Sequence, residues 1–221
     1  MPLIALSAMQ LFLLPLAVSV FAGDAVAGEA AWGTLRYVLA RPISRSRVLA
    51  AKAAVAATFS LAAVAVACGS ALLTGALLFG WRPLTVLDLQ HSTAFSYATA
   101  TFDPADAFGR VVLAAGMVAA ALASTFAFAL LLSTLTASPF AAVAGGVGLG
   151  LVSRALDNVP GLHALGSWLP LTDGGSALWT GLFFTPVHLD GLPQLAAVQA
   201  AYTIAFLAAA WLRFSRSDVL S

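Results

Sequence analysis

The sequence predicts an all-α, polytopic membrane protein with about five transmembrane helices. Of its 221 residues, ten are Lys or Arg and nine are Asp or Glu, so 9% are charged, whereas soluble domains have roughly a quarter. Hydrophobic residues make up 61% of the chain and the mean hydropathy is +0.97. The chain also contains uncharged apolar runs longer than the ~18 residues that mark a membrane-spanning candidate. A surface with so few charges faces lipid rather than water.

The uncharged runs give the predicted spans. About 20 helical residues cross a hydrocarbon core of ~30 Å, and helices are expected because lipid offers no partner to unpaired backbone groups. The alternation typical of a membrane barrel is absent. The fourth run is marginal in length, and it reaches about 156 if Arg154 extends its head group to the interface. The predicted spans, all within one transmembrane domain over 1–221, are 3–22, 53–79, 111–132, 139–156 and 194–212.

Basic residues predict the orientation, because cytoplasmic loops retain Lys and Arg. If the segment between the first two spans is inside, seven basic residues lie on the cytoplasmic side and three lie outside. The inner ones are Arg36, Arg41, Arg45, Arg47, Lys52, Arg213 and Arg216, and the outer ones are Arg82, Arg110 and Arg154. The N-terminus is therefore predicted outside and the C-terminus inside, with an inner segment at 24–52 and outer loops at 80–110 and 157–193. The second outer loop is apolar but broken by Pro and Gly, which favours re-entrant or interfacial helices.

A cleavable signal peptide is the rival interpretation of the first span, because Ala25-Val26-Ala27 resembles a signal-peptidase site. The region before it has no basic residue, its apolar stretch is too long, and cleavage would leave the basic cluster outside. The first span is therefore predicted to remain in the protein.

The inner segment has the most informative pattern. At 100° per residue, Glu29, Gly33 and Arg36 share one helical face, which predicts a short amphipathic helix under the bilayer. Because Arg41 precedes Pro42, this helix is expected to end there. A glycine inside a helix costs about 1 kcal/mol relative to alanine, so Gly33 suggests that another surface approaches closely.

Two interpretations of this segment compete. A basic anchor for anionic lipid headgroups needs charge alone, at about 1 kcal/mol per basic residue. It does not explain a Glu, a Gly and a Thr at fixed spacing with an aromatic residue on each flank. A docking face for a cytoplasmic partner explains more of the pattern. Its candidate residues are Glu29, Trp32, Gly33, Thr34, Arg36 and Tyr37, and the inner basic segment after them contains Arg41, Arg45, Arg47 and Lys52.

Ser44 or Ser46 is expected to cap the helix that follows, which runs through Lys52 into the second span. Elsewhere, Asp103 and Pro104 are expected to open a short helix that leads into the third span. Pro15 is expected to kink the first span, and residues 133–139 are expected to form a tight inner turn between the third and fourth.

The stretch Glu29-Ala-Ala-Trp-Gly-Thr-Leu-Arg-Tyr37, followed by Leu39-Ala-Arg-Pro-Ile-Ser-Arg45 and then Lys52, resembles the signature of bacterial type-2 ABC transporter permeases. Weaker similarities to the same family occur at 131–139, 168–172 and 213–218. In that family an inner coupling helix seats in a groove of a separate ATPase subunit. The resemblance therefore implies that Glu29, Gly33, Thr34 and Arg36 meet such a partner.

The resemblance also implies an assembly and a place in the cell. The chain has no G-x-x-x-x-G-K-[ST] sequence, so ATP and Mg are expected on the partner ATPase and no cofactor is expected here. A dimer with a second permease copy or paralogue, two ATPases, export as the direction and the bacterial inner membrane as the location are all implied. Movement of the ATPases would rock the coupling helices and alternate access across the membrane. Family members usually have six spans, so a leading span is expected to be missing here.

Two other function classes compete with a permease. A polytopic membrane enzyme would need carboxylates, His or an activated nucleophile at membrane depth, yet the predicted spans contain no Asp, Glu or His. A membrane anchor or assembly factor without transport is the third class, and stimulation of a co-encoded ATPase by the purified chain would argue against it.

Several smaller features support structural roles. Gly146 and Gly150 form one G-x-x-x-G, which allows close helix packing either within the chain or between permeases. Cys68 is the single cysteine and is expected to pack in an apolar run. The net charge of +1 offers no basic face for nucleic acid. No metal site is expected at the three histidines because no ligand spacing recurs among them; they are His91, His163 and His188.

Overall fold

The computed structural model of the chain is mostly helical. It describes residues 9–34, 37, 44–80, 83–93, 96–157, 159, 168, 181–183, 187 and 192–216. Within these residues the long helices are α1 (Leu14–Ala31), α2 (Arg45–Phe79), α3 (Pro104–Leu135), α4 (Pro139–Asp157) and α5 (Leu192–Arg216). A two-stranded sheet is formed by β1 (Leu84–Thr93) and β2 (Ser96–Phe102). A π-helical turn, Met9–Leu13, precedes α1, and a 3₁₀ turn lies at Gly181–Phe183.

Four helices are long and apolar enough to cross a membrane. They are Leu14–Ala31, Arg45–Leu78, Pro104–Leu135 and Leu192–Arg216, and Pro139–Ser153 is a shorter apolar helix. The class of a helical multi-pass membrane protein is thus as predicted, with four long spans among the described residues where about five were expected. α2 has 35 residues, which at 1.5 Å each is about 52 Å, so it is longer than a ~30 Å hydrocarbon core.

α1 and α3 form the centre of the bundle. Half of the α1 span and 39% of the α3 span are buried, compared with 22% for α2 and 17% for α5. α1 packs against α2, α3 and α4, and α3 packs against each of the other four helices. Small residues allow the closest approach: a Cβ on Gly23 of α1 would lie 3.1 Å from the backbone nitrogen of Val143 on α4. The outer helices α2 and α5 therefore leave most of their apolar surface for lipid.

Two hydrophobic clusters lie toward opposite ends of the bundle. The cluster at what we call the hairpin end joins the N-terminal parts of α1 and α3 to β2 and the 3₁₀ turn, and it includes Val18, Val111, Phe102 and Phe183. The cluster at what we call the Lys52 end joins the C-terminal parts of α1, α3 and α5 to the beginning of α2. Its members are Ala22, Val26, Val48, Leu49, Ala129, Leu130 and Phe214.

The β-hairpin is the main departure from the predicted all-α class, and it lies in the predicted outer loop 80–110. Leu84 pairs with Phe102 and Asp88 with Ala98, and the register becomes irregular before Thr93. In β2, Thr alternates with smaller or aromatic residues, a period of two that is typical of a strand. Phe102 is buried and attaches the hairpin to the bundle.

The helix boundaries also differ from the predictions. Pro15 lies in the first turn of α1, directly after the π-helical turn, so the change from π- to α-helix falls at the proline, and the predicted kink stays a prediction. Asp103 and Pro104 stand at the predicted N-cap and first positions, but they open the 32-residue α3 itself rather than a separate short helix. The turn between α3 and α4 is limited to residues 136–138.

Candidate docking site

The first span continues directly into the predicted inner segment, because α1 runs without interruption to Ala31. It ends in a Schellman motif: the Gly33 N–H donates to the Ala30 carbonyl (3.1 Å) and the Thr34 N–H donates to the Glu29 carbonyl (3.0 Å). Gly33 has φ 68°, the left-handed conformation that such a cap requires. Gly33 is therefore a C-cap outside the helix, which corrects the prediction that it shares a helical face with Glu29.

The rest of the predicted inner helix is described at one position. Arg36 and Arg41 lie outside the described residues, so the face completed by Arg36 and the helix end at Pro42 stay predictions. Tyr37 is helical, its N–H donates to the Thr34 carbonyl (3.0 Å), and its side chain is 71% exposed.

Glu29 and Lys52 form an ion pair between α1 and α2. Lys52 Nζ lies 2.6 Å from Glu29 Oε1 and donates to the Ala25 carbonyl at 2.8 Å. The Lys52 side chain is 16% exposed and that of Glu29 is 36% exposed. Among the described residues, Glu29 Oε2 is covered and has no hydrogen-bond partner. The ion pair thus joins α1 to α2, and the predicted contact of Glu29 with a partner stays a prediction.

Ser133 fastens the same part of α1 from a third helix. Its buried hydroxyl accepts the N–H groups of Val26 (2.9 Å) and Ala27 (3.2 Å). Buried hydrogen bonds of this kind contribute about 1 kcal/mol each. The last two turns of α1 are therefore held by α2 through Lys52 and by α3 through Ser133.

The surface beyond this fastened turn is aromatic. Trp32 occupies the C-cap position of α1 and is 85% exposed. Thr34 is also exposed, and its hydroxyl donates to the Glu29 carbonyl at 3.2 Å. A large aromatic side chain held on a rigid turn and left uncovered is typical of a binding surface or of a membrane-interface anchor.

The beginning of α2 adds positive charge at the Lys52 end of the molecule. Ser44 stands at the N-cap position, as the sequence allowed, although its side chain makes no capping bond. Its carbonyl accepts from the N–H groups of Arg47 and Val48. Arg45 and Arg47 lie in the first turn, near the positive end of the helix dipole, where a cation is unfavourable. Arg47 is exposed there, so its charge is available to an acidic surface outside the chain.

Basic residues dominate this end of the molecule. Among the described residues the Lys52 end has Arg45, Arg47, Lys52, Arg213 and Arg216 against Asp24 and Glu29, and the basic residues at the other end are Arg110 and Arg154, the latter near the end of α4. This asymmetry matches the charge distribution used to predict orientation.

The two packing glycines lie away from the docking surface. A Cβ on Gly146 would lie 2.5 Å from Ser19 Oγ of α1 and 3.0 Å from Ala129 Cβ of α3, so three helices meet there. Gly150 is buried one turn further along α4. The close contact at Gly146 is therefore made within the chain.

Arg110 makes three contacts at the hairpin end, although the sequence indicated only its contribution to the predicted orientation. Its Nε donates to Asp106 Oδ2 (3.0 Å), its guanidinium lies 4.4 Å from the centre of the Phe102 ring, and its Nη1 donates to the Leu182 carbonyl. The i,i+4 spacing of Asp106 and Arg110 on a predicted helix was the available signal. The contacts with Phe102 and Leu182 had no local sequence signal.

The described residues contain no group of three or more His, Cys, Asp or Glu side chains that could hold a metal ion. His91 lies in β1, while His163 and His188 fall outside the described part of the chain. What the Lys52 end offers is an exposed aromatic and basic surface on a fastened helix end, which suits docking.

Comparison with known families adds one match. A family model described as "Protein of unknown function (DUF2705)" matches residues 3–159, which is more than two thirds of the chain and extends from before α1 to the end of α4. No curated protein matches the sequence.

Proposed function

The chain belongs to the DUF2705 family of proteins of unknown function, and we propose that it is the transmembrane permease subunit of an ATP-driven (ABC) exporter. In this proposal the Lys52 end is cytoplasmic and docks a separate ATPase subunit, which holds ATP and Mg. A second copy or a paralogue completes the pathway in the bacterial inner membrane. The chain itself is a transport subunit and not an enzyme.

The observation that carries the proposal is the exposure of Trp32 on a fastened turn. A coupling surface must transmit force, so it needs a rigid attachment as well as an exposed contact. Trp32 is 85% exposed, and it follows the turn of α1 that Lys52 and Ser133 hold in place. A lipid anchor needs the exposed ring but has no need of this attachment.

The charges support the same end of the molecule. Arg47 is exposed in the first turn of α2, at the same end of the molecule and at a helix end where a cation is unfavourable. An acidic rim on a partner would offset that cost and speed association. The excess of Lys and Arg at this end also favours the cytoplasmic side.

The packing suggests how a pull on the docking surface would reach the membrane. Lys52 joins the ends of α1 and α2, so these two helices would move together. α1 packs against α2, α3 and α4, and α3 in turn contacts each of the other four helices. A small tilt of α1 would therefore shift the helices packed against it, as in a rigid-body switch between two access states.

The test uses the full chain reconstituted in lipid nanodiscs with the ATPase encoded beside it, and the measurement is ATP hydrolysis. Replacing a central interface Trp by Ala often costs 2 kcal/mol or more, so Trp32→Ala should raise the half-maximal permease concentration roughly 30-fold. Phe140→Ala is the matched control, because Phe140 is 81% exposed at the same end, on α4 and outside the docking segment.

Docking at Trp32 is supported if Trp32→Ala raises the half-maximal permease concentration and Phe140→Ala does not. Equal stimulation by wild type, Trp32→Ala and Phe140→Ala would contradict it. If Trp32→Ala instead lowers membrane insertion and leaves hydrolysis unchanged, Trp32 is an interfacial anchor and the docking assignment is wrong.

A further inference from the structure

A cavity of about 360 Å³ lies between α3 and α5, away from the docking surface. Small side chains leave this space between the two helices. Five of the residues that line it are alanines: Ala120, Ala121 and Ala123 on α3, and Ala196 and Ala200 on α5. At its rim Ile204 is 67% exposed. The cavity therefore opens sideways, onto a face of the bundle that is apolar and suited to lipid.

One polar side chain in this cavity is buried without a full set of partners. Gln199 is 6% exposed and lines the cavity, and its Oε1 has no hydrogen-bond partner among the described residues. Leaving a buried amide oxygen unsatisfied costs about 1–3 kcal/mol. Gln199 lies seven residues into α5, about 10 Å from the beginning of the helix, which is well inside the apolar run. Polar groups at such depth are expensive and commonly mark a functional site.

The neighbouring groups do not satisfy Gln199. The Thr203 hydroxyl already donates to the Gln199 backbone carbonyl at 2.7 Å. A trapped water that donates to Gln199 Oε1 would find one further polar partner in this lining, the acceptor lone pairs of the Thr203 hydroxyl, which is the lower limit of the roughly two to four that a buried water needs. A donor on a molecule that enters the cavity would satisfy Gln199 Oε1 directly.

We propose that this cavity binds a small, largely apolar molecule that carries one hydrogen-bond donor, which it gives to Gln199 Oε1. The volume falls in the usual range for small-molecule sites, roughly 300–1,000 Å³. The sideways opening selects ligands that dissolve in the bilayer. A second copy of the chain is the competing occupant of this opening, and the oligomeric state of Gln199→Leu tests it.

The binding site stands on α3 and α5 alone. That its ligand is the exported cargo rests on the proposed function. Binding is therefore measured on the chain without any ATPase, so that a failure of the docking proposal leaves this result intact.

The probes are 2-naphthol and 2-methoxynaphthalene, which share one apolar body and differ in the donor. Their affinities for the full chain in nanodiscs are compared after subtracting partition into empty nanodiscs. One hydrogen bond should make 2-naphthol bind roughly 3- to 10-fold tighter than the methoxy compound. Equal affinities would overturn the proposal.

Two variants sharpen the test. Gln199→Leu should abolish the preference for 2-naphthol, and because it removes an unsatisfied polar group it should not lower the thermal unfolding midpoint. Ala200→Phe should fill the cavity and weaken both probes at least about 10-fold. The matched control is Gln10→Leu, because Gln10 is also 6% exposed but lies outside the cavity. It should retain the preference.

The oligomeric state of Gln199→Leu tests the remaining explanation, in which the Gln199 amide bonds to a second copy of the chain and not to a ligand. If Gln199→Leu keeps the 2-naphthol preference but turns dimers into monomers in nanodiscs, the amide bonds to a second copy and the ligand site is wrong. Loss of the preference with no change in oligomeric state supports the ligand site.

Discussion

The two ends of the molecule each enclose a basic side chain, and they use it differently. At the Lys52 end an ammonium that is 16% exposed bonds to Glu29 Oε1 and to the Ala25 carbonyl, both on α1. At the hairpin end Arg110, which is 19% exposed, lies over the Phe102 ring and bonds to the Leu182 carbonyl. The lysine joins two long helices, whereas the arginine joins one helix to a strand and a short turn.

This difference follows from the shapes of the two cations. An ammonium is a compact charge that fits between a carboxylate and a carbonyl, while a planar guanidinium can stack on a ring and donate in several directions. Each cation therefore suits its own end. The Lys52 end is a rigid junction of spans, and the hairpin end is where connecting segments attach to the bundle.

Lys52→Met should have the largest effect on stability. It leaves the Glu29 carboxylate without its cation, and one oxygen of that carboxylate is already covered and unpaired among the described residues. Removing one partner of a buried ion pair costs about 3–5 kcal/mol, and the partial exposure of Glu29 reduces this to about 2–4 kcal/mol. The measurement is the free energy of unfolding in detergent by a denaturant titration.

Arg47→Met is the control for Lys52→Met, because Arg47 is exposed on the same helix and its replacement should change stability by less than about 0.5 kcal/mol. Adding Glu29→Gln to Lys52→Met should recover part of the loss, since no charge is then left unpaired. If Lys52→Met and Arg47→Met behave alike, the ion pair does not hold the Lys52 end together.

The long helices were predictable because their apolar runs are long and free of charge. The beginning of α2 after Ser44 and the start of α3 at Asp103-Pro104 were also readable from neighbouring residues, although neither Ser44 nor Asp103 makes a side-chain capping bond. The charge excess at the Lys52 end was predictable for the same reason, because it needs only the order of residues along the chain.

The candidate site was less predictable because its geometry depends on distant residues. The prediction continued the helical period of about 3.6 residues through Gly33 and therefore did not place a helix end there. A glycine at this position is equally typical of a C-cap. The partners Glu29 and Lys52 come from different helices, and no local pattern pairs them. Gln199 gave no signal in the sequence, because the side chains that mark a functional site in a span are the ionisable ones and an amide has no charge.

The two left-handed glycines offer a second contrast between the ends. Gly33 caps α1 in a Schellman motif, whereas Gly80 ends α2 with φ 73° and ψ 172°, a region that is essentially restricted to glycine. A Cβ on Gly80 would meet no atom within 4 Å, so backbone strain is the main cost there. Gly80→Asn should therefore destabilise the chain by about 1–3 kcal/mol.

Gly33→Asn is the matched variant at the Lys52 end. Asparagine is accepted in the left-handed cap conformation, so this change should cost a few tenths of a kcal/mol, roughly. Thermal unfolding of the two variants side by side measures the difference. A larger loss for Gly33→Asn than for Gly80→Asn would mean that the cap at Gly33 tolerates no side chain, and that its surroundings rather than its backbone select glycine.

Arg110→Lys should have a smaller effect than Lys52→Met and Gly80→Asn, and it tests whether geometry or charge fixes the hairpin end. Lysine keeps the charge but cannot both stack on Phe102 and reach the Leu182 carbonyl, so about 1 kcal/mol should be lost. The loss should appear as faster proteolysis within the hairpin, while the α1–α2 junction stays protected. Asp106→Asn is the control: Asp106 is 54% exposed, and exposed pairs contribute less than about 1 kcal/mol. If Asp106→Asn loosens the hairpin more than Arg110→Lys does, the carboxylate positions Arg110 and the ring contact is incidental. The two ends would then resemble each other, each with a cation held chiefly by an acidic side chain.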